Sequence, residues 1–139
     1  MNTILKSLTV LSTAAALFAA PASAQTMMMH AGAFHALGAP TSGTAALSEA
    51  GGKVTLKLSA LKTEPGPGLQ VWLYQAAAPV KGTSDATIAQ GKYVKVGELK
   101  KFSGTFTFAA PAGTKLNTYK SVVLWCADVK TAFAAADLK

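Results

Sequence analysis

The chain is predicted to be all-β, an antiparallel β-sandwich of six or more short strands, on three observations. Apolar and polar residues alternate at period two in several short segments, Gly- and Pro-rich breaks separate those segments, and no stretch between them carries the spacing of a convincing amphipathic helix.

Taken in order, the chain opens on "MNTILKSLTVLSTAAALFAAPASAQT". Lys6 lies in a short leading region, an apolar stretch runs from about Leu8 to Ala20, and Ala22-Ser23-Ala24 forms a small-residue cleavage site. This is the pattern of a secretory signal peptide over 1–24, cleaved after Ala24, so a secreted or periplasmic protein is expected with a single domain over 25–139. Nothing after it approaches the length of a membrane-spanning helix. The next stretch, "MMMHAGAFH", is expected to begin as a loose chain end. "KVTLKLSAL" sets Val54, Leu56 and Leu58 against Lys53, Thr55, Lys57 and Ser59, a strand with one wet face. "TEPGPG" permits neither ladder nor helix. In "LQVWLYQ", Leu69, Val71 and Leu73 oppose Gln70, Trp72 and Tyr74, a strand whose second face is largely aromatic. "AAAPVKGTSDATIAQGK" has turn residues without periodicity and is expected to be a loop with a mobile tip. "KYVKVGEL" and "GTFTFAA" resume the alternation. "YKSVVLWCADV" is apolar on both faces and is expected to be a central strand covered on both sides. "TAFAAADL" fits a short strand or a last helical turn.

The formal net charge is +7, and all 13 basic residues are lysines. Lysine is a point charge, whereas planar, bidentate phosphate recognition favours arginine. The lysines are also scattered, so the charge is read as solubility and attraction to anionic surfaces, and no nucleic acid partner is expected. No Walker-type loop, Gly-x-Ser-x-Gly elbow, His-Glu-x-x-His or Cys-x-x-Cys-His motif is present. The six acids are dispersed. The chain is therefore not expected to be an enzyme by itself.

One cysteine, Cys126, stands in a chain that looks exported. It cannot form an internal disulfide, which leaves core filler, a reactive thiol, a ligand, or half of an intermolecular bridge. If the strand continues past it, its same-face neighbours are Leu124 and Asp128. Neither stabilises a thiolate, and Lys130 is a step further on. Burial as a small hydrophobe is the default for a free cysteine. A copper-type metal set is also present, with Met27, Met28 and Met29 beside His30 and with His35 five residues on, since thioether and imidazole ligands suit copper. Nothing after Cys126 is His or Met, unlike the usual blue-copper arrangement.

Read together, "GAF" (32–34), "TSGTAAL" (41–47), "GPGLQVWL" (66–73), "VGELK" (96–100), Ser103-Gly104 and above all "YKSVVLWC" (119–126) resemble the DM13 domain family across nearly all of 25–139. The resemblance implies a small exported or cell-surface β domain with a part in electron transfer. It also implies that Cys126 is the family's cysteine, acting as a naked redox thiol or as a ligand to a prosthetic group such as haem, with Trp125 beside it as a second cofactor-binding candidate. The family's pattern usually has a His near Ala39 and an Asp at the place of Gly68, and here the nearest His is His35. Two readings follow: an extracytoplasmic redox or electron-transfer accessory domain centred on Cys126, and a non-catalytic β-sandwich that binds a protein or envelope partner, with Cys126 packed. Copper handling through Met29, His30 and His35 is a third, minor one.

Overall fold

The period-two segments become eight strands in the computed structural model, which describes residues 27–139; the signal peptide expected over 1–24 lies outside the described residues. The strands are β1 (Met28–Ala36), β2 (Ser42–Ala50), β3 (Lys53–Lys62), β4 (Leu69–Tyr74), β5 (Tyr93–Glu98), β6 (Ser103–Ala109), β7 (Ser121–Cys126) and β8 (Thr131–Asp137), with a short α-helix, α1 (Asp85–Ala89), and a 3-10 turn at Leu116–Thr118. Every described pairing is antiparallel, in the order β5-β4-β7-β8-β1-β2-β3-β6. The all-β antiparallel expectation is borne out, and the layers of the sandwich are two walls of one nearly closed, barrel-like sheet.

Strand β1 joins the walls. Its residues Met28 to Ala33 pair with β2, and Phe34 to Ala36 pair with β8. Between the two end strands, Gly97 of β5 lies so close to Phe108 of β6 that a Cβ there would collide with the ring. Alternation then decides what fills the interior: Leu47, Leu56, Leu58, Val71, Leu73, Val122 and Leu124 are fully buried there, with Phe106 and Phe108 packed against them. Irregular register between Leu58 and Leu61 bends β3, with Ala60 at φ 48°. Such a bulge lets a strand turn a barrel corner.

The wall of β4, β7 and β8 is buried on its outer side as well. Trp72, Tyr74, Val123, Trp125, Ala132 and Ala135 form a second cluster there with Ala78 and Ile88. All six residues of β7 are buried, as its unbroken apolar run predicts. The cover is a strap of residues 75–92; the stretch 76–92, expected to be a loop with a mobile tip, is fastened down. Ser84 caps α1 by accepting from the Thr87 N–H, and Ile88 is buried beneath it. Five long-range hydrogen bonds tie the strap to the strands: Tyr74 Oη to the Ile88 carbonyl (3.0 Å), Ser121 Oγ to the Ala76 carbonyl (2.7 Å), His35 Nε2 to the Pro79 carbonyl (2.7 Å), the Ala78 N–H to Asp137 (2.8 Å) and the Ala132 N–H to Asp85 (2.9 Å). The loose chain end expected at "MMMH" is also corrected, since ladder pairing to β2 makes it strand β1. "TAFAAADL" resolves as strand β8, because β7 and β1 both pair with it.

Candidate functional site

Cys126 ends β7 with its side chain in the barrel interior, paired in register with Leu69 on one side and Thr131 on the other. It has 0% exposure. The stretch Pro65-Gly66-Pro67-Gly68, which precedes β4, closes over it. The thiol donates to the Pro67 carbonyl at 3.1 Å. Gly66 is buried against it, and a Cβ at that position would lie 2.8 Å from the Phe133 ring and 3.2 Å from Sγ. Gly68, at φ 68°, uses the left-handed region that glycine enters freely, and its carbonyl accepts the Ala127 N–H at 3.0 Å. The loop is therefore a lid fitted to the cysteine. The expected continuation of the strand fails: β7 stops at Cys126, and residues 127–130 form a turn in which Asp128 and Lys130 are exposed. The Asp128 carboxylate lies beside Gly68, 3.1 Å from where a Cβ would stand.

Trp125 points to the other side of the sheet, so it and Cys126 do not face a common space. There it stacks on Trp72, ring centroids 4.8 Å apart and planes 20° from parallel. Trp72 in turn stacks on Tyr93 at 3.6 Å and 6°. The Trp72 indole N–H donates to Gln70 at 2.9 Å. Below them, burial raises the pKa of Tyr74 above its ordinary value.

The copper-type residues are not gathered. Met29 and His30 are consecutive in β1 and point to opposite faces. His35 lies on the outer face, its Nε2 2.7 Å from the Pro79 carbonyl. A carbonyl can only accept, so Nε2 carries the proton and is engaged by the strap. Among the described residues no group of three or more His, Cys, Asp or Glu could hold a metal ion. A haem or copper ligated by Cys126 does not fit this arrangement either: the thiol is already hydrogen-bonded, sealed by the lid, and without a second ligand beside it.

The residue chemistry of Cys126 and Trp125 was legible in the sequence, whereas Gly66, Pro67, Phe133 and Tyr93 were not singled out. The dipeptide repeat of Pro and Gly was the available signal for the lid; Tyr93 gave none, because its partner Trp72 lies on a neighbouring strand. No helix among the described residues is long and apolar enough to cross a membrane.

No curated protein and no solved structure matches the chain. A family model described as "Electron transfer DM13" matches residues 33–138, which contain every strand but the first half of β1. The chain belongs to the DM13 family.

Proposed function

We propose that this protein is an exported electron-transfer accessory domain whose redox group is the Cys126 thiol itself. One observation carries the assignment to the thiol: the only cysteine of the chain is enclosed by a lid built around its sulfur, with Gly66 making room and the Pro67 carbonyl accepting the S–H hydrogen bond. Disulfide exchange, alkylation and oxidation by peroxide all require a reagent to touch the sulfur, and they favour an exposed thiolate. Enclosure works against these. Electron transfer needs no contact, because an electron can tunnel through packed protein. The partner on this reading is a strong one-electron oxidant outside the cytoplasm, of the radical or high-valent metal class. It gains one electron, and the S–H bond of Cys126 breaks to leave a sulfur-centred radical as the proton is released across the 65–68 lid, whose outer residues Pro65, Pro67 and Gly68 are exposed, to bulk water.

A second reading is favoured by the complete burial of Cys126 and its satisfied S–H: a binding module in which the cysteine is core. One experiment separates them. Purified protein is exposed either to hydrogen peroxide or to a photogenerated ruthenium(III) oxidant, then unfolded and its free thiol counted. The electron-transfer reading expects the thiol to survive peroxide and to be lost to ruthenium(III). Survival in both arms would leave only the structural role. Export is tested separately by the mass of the native protein, expected to begin at Gln25.

A further inference from the structure

We infer that Tyr93, Trp72 and Trp125 form an electron relay that joins Cys126 to the surface and that admits an anionic one-electron oxidant at Tyr93. The relay rests on the thiol reading only for its inner end.

Stacking geometry is the first ground. Packing alone favours offset-stacked or edge-to-face aromatic pairs with centroids about 4.5–7 Å apart over a face-to-face sandwich. Trp72 and Trp125, 4.8 Å apart, are an ordinary offset stack, whereas Tyr93 and Trp72 are nearly parallel with centroids only 3.6 Å apart, closer than packing alone favours. Close parallel rings maximise the overlap through which electrons move. Tunnelling falls exponentially with distance, so three rings in contact replace one long jump by short ones.

The exposure gradient is the second. Tyr93 is 43% exposed, Trp72 2% and Trp125 6%. Tyr93 is the one aromatic among the exposed large hydrophobic residues described. A single peptide bond then links Trp125 to Cys126, so the relay crosses the sheet through bonds and reaches the thiol from the dry side.

Proton control is the third. The Trp72 indole N–H is held by the Gln70 side-chain oxygen, and an amide oxygen is too weak a base to take that proton. An oxidised Trp72 thus keeps its proton and stays a strong oxidant toward Trp125. Tyr93, in face contact with Trp72, is the ring on which the oxidant docks, and the electron passes through it from Trp72 without a discrete tyrosyl radical, so the phenol keeps its proton. In sum, the oxidant is reduced by one electron, each ring returns to its starting state, and the Cys126 S–H supplies both the electron and the released proton.

Charge selects the oxidant. Exposed Lys92 adjoins Tyr93, and the N–H of exposed Lys120 donates to the carbonyl of Tyr74, the residue paired with Tyr93. An anionic oxidant is drawn to this edge, and salt screens the attraction.

The test uses the full folded protein and an anionic, flash-generated ruthenium(III) complex bearing sulfonated ligands, followed by transient absorption. The relay predicts a bimolecular oxidation rate that falls severalfold in Tyr93→Leu and falls with added salt. It predicts a protonated indole radical in the wild type that converts to the deprotonated form faster in Gln70→Glu. Tyr93→Leu changes an exposed side chain and keeps the fold, as circular dichroism will verify, so the result does not depend on the buried tryptophans surviving substitution. An unchanged rate in Tyr93→Leu, or a radical confined to tyrosine, overturns the relay. In Cys126→Ser the indole radical should live longer; an unchanged lifetime there, with the Tyr93 dependence intact, keeps the relay and removes the thiol as its donor.

Discussion

The two walls of the barrel share an interior and differ on the outside. On β3 the outward residues Lys53 and Lys57 meet solvent, while on β7 the outward residues Val123 and Trp125 are buried under the strap of residues 75–92. The first wall is stabilised through one face and tolerates change on the other. The second is stabilised through both, and it carries Cys126, Trp125 and Trp72. Double burial dries Trp72 and Trp125 from without and the thiol from within, so the wall with the least contact with water is the one that carries the groups proposed for electron transfer.

Substitution on matched outward positions gives the largest expected effect. Val123→Asp should unfold the domain, because an unpaired buried carboxylate costs several kcal/mol, about the whole stability of a small domain. Lys57→Asp, on the wet wall, should shift stability by no more than about 0.5 kcal/mol. Urea unfolding measures both; equal losses would mean the walls do not differ as described.

Gly66→Ala probes the lid. The new methyl must displace the Phe133 ring or the sulfur, an overpacking cost of about 1–3 kcal/mol. Alkylation of native Cys126 should accelerate. A slow, unchanged labelling rate would show that the lid does not seal the thiol.

Tyr74 gives the smallest and most conditional effect. Burial raises its folded pKa above the ordinary tyrosine value of about 10. The folded state therefore holds the phenol proton more tightly than the unfolded one. Stability is intact below about pH 10 and falls as pH rises from there toward the folded pKa. Tyr74→Phe should flatten that slope while losing the hydrogen bond to Ile88. A slope that persists in Tyr74→Phe would place the titration elsewhere.

Much of the wall contrast was legible in the sequence. "KVTLKL" alternates and "SVVLW" does not, which is the difference between one buried face and two. What covers β7 was not legible. The strap's one helical turn contributes a single buried apolar residue, Ile88, too little for periodicity to register, and its fastenings include long-range hydrogen bonds accepted by Asp85 and Asp137 and donated by Ser121. At the site, Cys126 stood out by being alone. Its surroundings were misread beyond Cys126 because the turn at 127–130 ends the alternation that placed Asp128 on its face. The lid reached it from 59 positions away, a proximity only the fold creates.

Freeze-quenched electron paramagnetic resonance decides whether Cys126 is the final electron donor. Wild-type protein and Cys126→Ser are each oxidised by one photogenerated equivalent and frozen. The thiol account predicts a sulfur-centred radical in the wild type and, in Cys126→Ser, an indole radical in its place. Identical spectra from the two proteins would contradict it.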